Sequence, residues 1–504
     1  MLRTGPSAES LLIGAVGVLC LLGLVMVYSA SSVASVQGGA SSWAVVSRQA
    51  LFMCMGLGLG VMASRIPVQV WRDRIAVPLM VLAVALQLLL ALDVVLRSAG
   101  GPGMPFAVSV NGATRWVGYG PFSGQPSDLL KLALILWLAR LLDVRHREIG
   151  SQELLKPIIA VTLFIAALVM AGDDLGTTML LGVIVLTMLF LAGAPVRQVG
   201  GMALAGGAGA VLAIFLLEGF RMQRISAFFS PDQHVATEGW QLLQSQIGFA
   251  SGGLWGNGPG NSRAKWGYLP EADTDFILAV IGEELGLIGS LVVLGAFVAF
   301  MIAGTRIALR TRTQFGRLVA FGITAWIGVQ ALINIGVTVG TLPTKGITLP
   351  FVSYGGSSLM MCMLAVGVLV SVARDRLSLI HILLGMSAAL FFVVLAGAVT
   401  IQAQRIEAQH RIDQLDIELL DAEELQRELR AEVAVAESPE RVMAEALALG
   451  MVEPGPVLPL VPPATDSAEP VDPAVTPPST DSNQPVALGA DPATSDEKAP
   501  AGGG

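Results

Sequence analysis

Five ionisable side chains, Arg263, Lys265, Glu271, Asp273 and Asp275, crowd the mouth of an apolar run that begins at Phe276, within the segment GGLWGNGPGNSRAKWGYLPEADTDFILAVIGEELG over Gly252–Gly286. Charge at a membrane boundary is costly and marks function. A carboxylate at the start of such a run can act as a general base. Glycines allow close backbone approach, and Pro270 fixes a turn. Three further stretches concentrate polar residues. Asn111–Trp116, with Arg115 and Trp116, leads to Gln125–Asp128 and Lys131; Asp173–Thr177 sits between two apolar runs; Leu342–Ser358 carries Lys345 and Ser353. The loop from Glu218 adds Arg221, Arg224, Gln241, Gln244 and Ser245. Lys345 and the arginines could neutralise a diphosphate, and glycine-rich backbone could donate N–H bonds to it. Taken together these segments describe an outer-facing site for an anionic, lipid-linked substrate. Asp128 and Lys131, at i and i+3, equally read as an intrahelical ion pair, weak in water and more consequential beside lipid. Asp173 and Asp174 read either as helix N-caps or as functional carboxylates.

The elements that must position these groups are membrane helices. Of 504 residues, 54% are hydrophobic and 13% charged, against about 25% charged in soluble domains. Apolar runs long enough to cross a bilayer fall at 11–30, 44–63, 75–96, 127–143, 157–172, 175–194, 198–217, 276–303, 318–340, 357–373 and 379–401. They lack the alternation of barrel strands, so an all-α polytopic fold is expected. Loop cations set the orientation. With the N-terminus cytoplasmic, fifteen Arg and Lys face the cytoplasm, from Arg3 to Arg376, against nine outside. Arg3 and the small residues of Ser29–Ser35 resemble a secretory leader, but a retained helix keeps the second run correctly oriented. Cys20, Cys54 and Cys362 all fall in apolar runs, which indicates no disulfide framework. Of four histidines only His234 lies near the outer segments, so acid–base work there falls mostly to carboxylates.

Beyond residue 376 the chain changes character. Residues 377–402 form an eleventh span leading outside. From Arg405 to Glu437 the a/d positions read Ile412, Leu415, Leu419, Ala422, Leu429, Val433 and Ala436, with Gln426 as a polar interruption. That pattern predicts a short coiled coil. Ser438–Pro439 starts a small amphipathic helix that Gly450 ends. Residues 453–504, rich in Pro, Ala, Ser, Thr and Asp, read as disordered.

Gly112–Trp116, Gln125–Lys131, Asp174–Thr177, Gly239–Ser245, Ser251–Gly260, Tyr268–Gly286 and Leu342–Ser358 stand in an order that resembles the SEDS family (shape, elongation, division, sporulation), closer to its division branch than to its elongation branch. The resemblance implies a ten-span domain over residues 1–376 that polymerises lipid II, the undecaprenyl-diphosphate-linked disaccharide-pentapeptide, at the outer face of the inner membrane. It implies that Asp275 is the catalytic acid/base, and that Glu271, Lys345 and Arg115 are sensitive positions. Lys131, Trp116, Arg221, Arg224 and Ser353 complete the expected substrate-binding set. No organic cofactor is implied; a divalent cation, Mg or Mn, could be recruited by Glu271 or Asp273. Asp273 stands where the family commonly has His, and a second carboxylate beside Asp275 should raise the proton affinity of one of them. Expected partners are a class B penicillin-binding transpeptidase of FtsI type and divisome proteins of FtsL, FtsB and FtsQ type, with no nucleic acid. Residues 403–452 resemble small bitopic proteins of the FtsL type. The competing readings are a lipid II flippase, an elongation-type polymerase, and a scaffold acting through its coiled coil.

Overall fold

The computed structural model describes residues 7–39, 41–110, 113–119, 122–216, 238–343, 346–373, 411–412, 415, 417–435 and 438–451. Arg221, Arg224, His234, Lys345 and the eleventh apolar run lie outside these residues.

In chain order the helices are α1 (Ala8–Gln37), α2 (Ala44–Arg65), α3 (Val68–Ser98, with a π-helical turn at Trp71–Ile75), α4 (Pro126–Val144), α5 (Gln152–Ala171), α6 (Leu175–Ala192) and α7 (Val196–Leu216). They continue with α8 (Glu238–Gly252), α9 (Ile277–Arg310), α10 (Gln314–Thr338) and α11 (Gly356–Ala373). The first ten predicted runs each fall on one of these helices. Among the described residues, eight helices are long and apolar enough to cross a membrane, and the chain is a multi-pass membrane protein. Local chemistry sets their ends: the Ser7, Ser151 and Thr313 side chains accept the first free N–H groups of α1, α5 and α10. Pro126 occupies the first turn of α4, where no N–H is needed.

α4 is the central helix. Leu130, Leu132, Leu134, Ile135, Leu136 and Leu138 are all buried, as expected of a helix apolar around its circumference. α3, α6, α10 and α11 surround it. α2 and α11 approach backbone to backbone, because a Cβ on Gly367 would overlap the Gly60 carbonyl.

Two features depart from the expected pattern of spans and loops. The polar stretch before α4 is a three-stranded antiparallel sheet, β1 (Ala107–Val110), β2 (Ala113–Tyr119) and β3 (Phe122–Gly124), with a register irregularity at Val108/Ser109. The described part of the long segment between α7 and α9 is a helix followed by a hairpin that packs along α9. α8 runs beside α9, with Gly248 near Ala279 and Gly252 against Gly282. The chain turns at Gly253–Gly258 and returns to place the Tyr268 carbonyl 2.7 Å from the Trp240 indole N–H. Its tip meets α9 at Gly286, about 14 Å below Ile277 at 1.5 Å per residue.

Irregular backbone at that depth needs protein partners. α9 breaks at Gly286, whose φ of 66° and ψ of −163° only glycine adopts readily. The Glu283 and Glu284 carbonyls accept from Asn257 and Gly258 N–H, while Leu287 and Ile288 N–H donate to the Gly253 and Leu254 carbonyls. Hairpin and helix thus satisfy each other's open backbone groups. A Cβ at Gly286 would overlap the Gly256 nitrogen and the Leu254 carbonyl. Gly286→Ala should therefore lower the apparent Tm of the purified protein by several degrees, and an unchanged Tm would show that this junction tolerates displacement.

The chain divides into two units, Met1–Leu419 and Leu420–Gly504. In the tail, residues 417–435 are helical and Pro439–Ala448 form the expected short helix. Leu419, Leu429 and Val433 of the heptad stripe are exposed.

Candidate active site

Asp275 lies just before α9, and three consecutive carbonyls fix its backbone. That of Asp273 accepts from Tyr354 N–H at 2.8 Å, that of Thr274 from the Ser353 hydroxyl at 2.6 Å, and that of Asp275 from the Asn334 amide at 2.8 Å. All three donors lie on α10 or the segment that follows it, so residues far apart in sequence are locked together. The same Asn334 nitrogen donates to the Ile347 carbonyl at 2.8 Å, and Gln330, one turn earlier, to that of Thr348 at 3.0 Å. Ser353 also accepts from Leu349 N–H at 2.8 Å, so its hydroxyl is committed inward. Phe351, at φ 67°, bends this segment, and Gln49 of α2 holds its far end through the Ser353 carbonyl and Gly355 N–H. The Asp275 carboxylate faces Gly346: Oδ2 is 3.5 Å from where a Cβ on that glycine would stand. Gly346 directly follows Lys345 in the chain.

A buried polar network joins the other expected site residues to the same segment. Lys131 and Asp128, 3% and 5% exposed, pair at 2.8 Å. Lys131 also donates to Gln330 Oε1 at 3.3 Å and lies 5.2 Å from the Trp326 ring centre. Asp128 accepts from the Ser357 hydroxyl at 3.1 Å. Lys131, expected to contact substrate, is thus enclosed between α4 and α10. Asp174 caps α6 through Thr177 N–H at 2.9 Å and accepts from the Gln125 amide at 3.0 Å. Gly176, in that first turn, packs against Ile347. Arg115, half-buried on β2, donates to the Gly172 and Asp173 carbonyls at 2.9 and 2.7 Å. Its guanidinium is thereby held over the turn that touches the Gly346 segment. Trp116, the next residue on the strand, pairs with Val108, and Arg115 falls in the register irregularity between the Val108–Trp116 and Ser109–Thr114 pairs.

Glu271 is exposed, has φ 56°, and accepts from the Thr274 hydroxyl at 2.7 Å. Burial, and secondarily the Glu271 carboxylate, push the proton affinity of Asp273 up, against the opposing effect of a backbone N–H bond. Folding therefore favours the protonated form. The stability this group contributes is full below the ordinary carboxylate range and is lost as pH rises through its raised value. Asp273→Asn should raise the apparent Tm at pH 7, with the gain vanishing near pH 4; an equal gain at both would refute that origin. Among the described residues no group of three metal-binding side chains forms.

Glu283 and Glu284, which are not among the expected site residues, are both buried. Glu283 accepts from the Ser262 hydroxyl at 2.5 Å and from Arg263 and Ala264 N–H at 2.9 and 3.2 Å. Glu284 accepts from the Ser29 hydroxyl of α1 at 2.6 Å, from Gly260 and Ser262 N–H at 2.9 and 3.3 Å, and from Lys265 at 3.4 Å. Burial lowers the Lys265 ammonium's hold on its proton, and the two glutamates oppose that shift. Adjacent carboxylates inside an apolar run were the visible signal.

Residues 9–378 match the FtsW/RodA/SpoVE cell cycle protein family, nearly three quarters of the chain. The chain belongs to this family, the SEDS proteins. Within it the chain is FtsW-type: it is 37% identical over 364 residues to a probable peptidoglycan glycosyltransferase FtsW of Geobacter metallireducens, covering 72% of this chain and 93% of that one. Crystalline Thermus thermophilus RodA, a rod shape determining protein, superposes with a TM-score of 0.51 at 26% identity, over 73% of this chain and 97% of that one. A chain from a peptidoglycan synthase complex that coordinates polymerization and crosslinking gives 0.55 at 26% identity, over 71% and 97%. The SEDS match contains both segments that meet at Asp275 and stops before the tail.

Proposed function

We propose that this SEDS protein is a peptidoglycan glycosyltransferase that polymerises lipid II into glycan strands during septal wall synthesis. The observation that carries the reading is the Asp275 carboxylate set against Gly346, the residue after Lys345 in sequence, on a backbone clamped at three consecutive carbonyls. The names of the similar proteins support it. Asp275 accepts the proton of the sugar 4-hydroxyl on one lipid II as that oxygen attacks the anomeric carbon of a lipid-diphosphate donor. A C–O bond forms, the bond from the anomeric carbon to the diphosphate breaks, and the configuration inverts. Lys345, Arg115, Arg221 and Arg224 stabilise the departing diphosphate. Glu271 and Asp273 offer hard oxygen ligands suited to Mg or Mn, which would supply further charge neutralisation.

In this reading the N-terminus is cytoplasmic, and Asp275 and the tail face outward at the division septum. The tail is FtsL-like, and its exposed heptad stripe pairs with divisome proteins of the FtsL, FtsB and FtsQ type; a class B penicillin-binding protein of FtsI type crosslinks the product. Purified protein incubated with purified lipid II, with and without such a partner, should yield glycan polymer resolvable on a gel. Translocation of lipid II across vesicles without polymer would favour the flippase instead.

A further inference from the structure

The charges just behind the tip of the hairpin have no part in the proposed reaction, yet they are deeply enclosed. Lys265 is 4% exposed, Glu283 2% and Glu284 0%. Their bonds tie residues 260–265 to residues 283–284, across 19 to 24 positions of sequence. The loop closed in this way contains Glu271, Asp273 and Asp275. Ser29 brings α1 to the same point, donating to Glu284 and accepting from Lys265 at 3.4 Å. Apolar side chains of similar volume often replace a buried ion pair without loss of stability. Stability alone therefore gives weak reason for two carboxylates and an ammonium here.

We propose that Lys265 and Glu284, seated on Ser29 of α1, are positioning residues that clamp the base of the loop bearing Asp275 and hold its carboxylate in register with the segment after Lys345. The role rests on Asp275 being the base, while the clamp itself is a property of the fold. Lys265 is the cation that balances Glu284, so its loss leaves that carboxylate buried without a counter-charge. Misplacement of a reacting group by about 1 Å can cost about 100-fold in rate.

Lys265→Met should lower kcat for glycan polymerisation by about 100-fold with KM little changed. Amide hydrogen exchange should quicken in residues 266–276 and stay unchanged in α4 and α10. Lys265→Met combined with Glu284→Gln removes both charges and should recover slow exchange and most of kcat. Three results would overturn the clamp: unchanged exchange in the single variant, acceleration spread equally through α4 and α10, or a double variant no better than the single. A wild-type protein that makes no glycan would overturn the polymerase reading, and the exchange data would still decide the clamp.

Discussion

Asp275→Asn is expected to cut the rate of glycan polymerisation by about a thousandfold, within the range a positioned general base contributes. The substitution keeps the volume of the side chain and removes its ability to take a proton from the acceptor hydroxyl. The backbone clamp does not depend on that side chain, because the bonds from Tyr354, Ser353 and Asn334 all go to carbonyl oxygens. The variant should therefore elute and melt like the wild type, which separates loss of chemistry from loss of fold. Polymer formed at the wild-type rate from purified lipid II would eliminate Asp275 as the base.

The largest expected loss of stability belongs to Lys131→Met. An exposed i,i+3 pair contributes little, but this one is enclosed, and Asp128 would keep the Ser357 hydroxyl while losing its cation. Breaking a buried pair from one side costs about 3–5 kcal/mol. Lys131→Met with Asp128→Asn should recover at least half of the lost Tm, because no unpaired charge remains. Gln330 would still accept from the Trp326 indole at 2.9 Å. A single variant as stable as the wild type would show that the pair is dispensable. A double variant no more stable than the single would show that Lys131 acts through packing against Trp326.

The apolar runs were legible because a bilayer demands long uninterrupted hydrophobic stretches, and the location of the site was legible because charge is rare beside them. That Asp275 and Lys345 serve one site was implied by the family resemblance, but the packing of their segments and its physical basis were not. That basis is the polar stripe of α10, Gln330 and Asn334, whose amides hold loop carbonyls. The ambiguity at Asp128–Lys131 was real in sequence, since spacing carries no information about burial. Asp174 resolves as a helix cap that also receives Gln125. The sheet before α4 was missed because β1 and β3 have only four and three residues and the stretch is interrupted by Gly112, Gly118, Gly120 and Gly124. The tip of the hairpin was missed because its partners are backbone groups, which leave no mark on side-chain pattern, and only the Glu283–Glu284 pair signalled the contacts behind it. The Ser29 contact to Glu284 spans 255 positions, beyond any local spacing rule.

The break at Gly286 also bears on how the chain is made. The hairpin is synthesised before the stretch of α9 that completes its hydrogen bonding, so during insertion its amides have only water to turn to. It can sink to its final depth only after residues 283–288 have emerged, which makes seating of this element a late step of biogenesis, coupled to delivery of α9 into the bilayer.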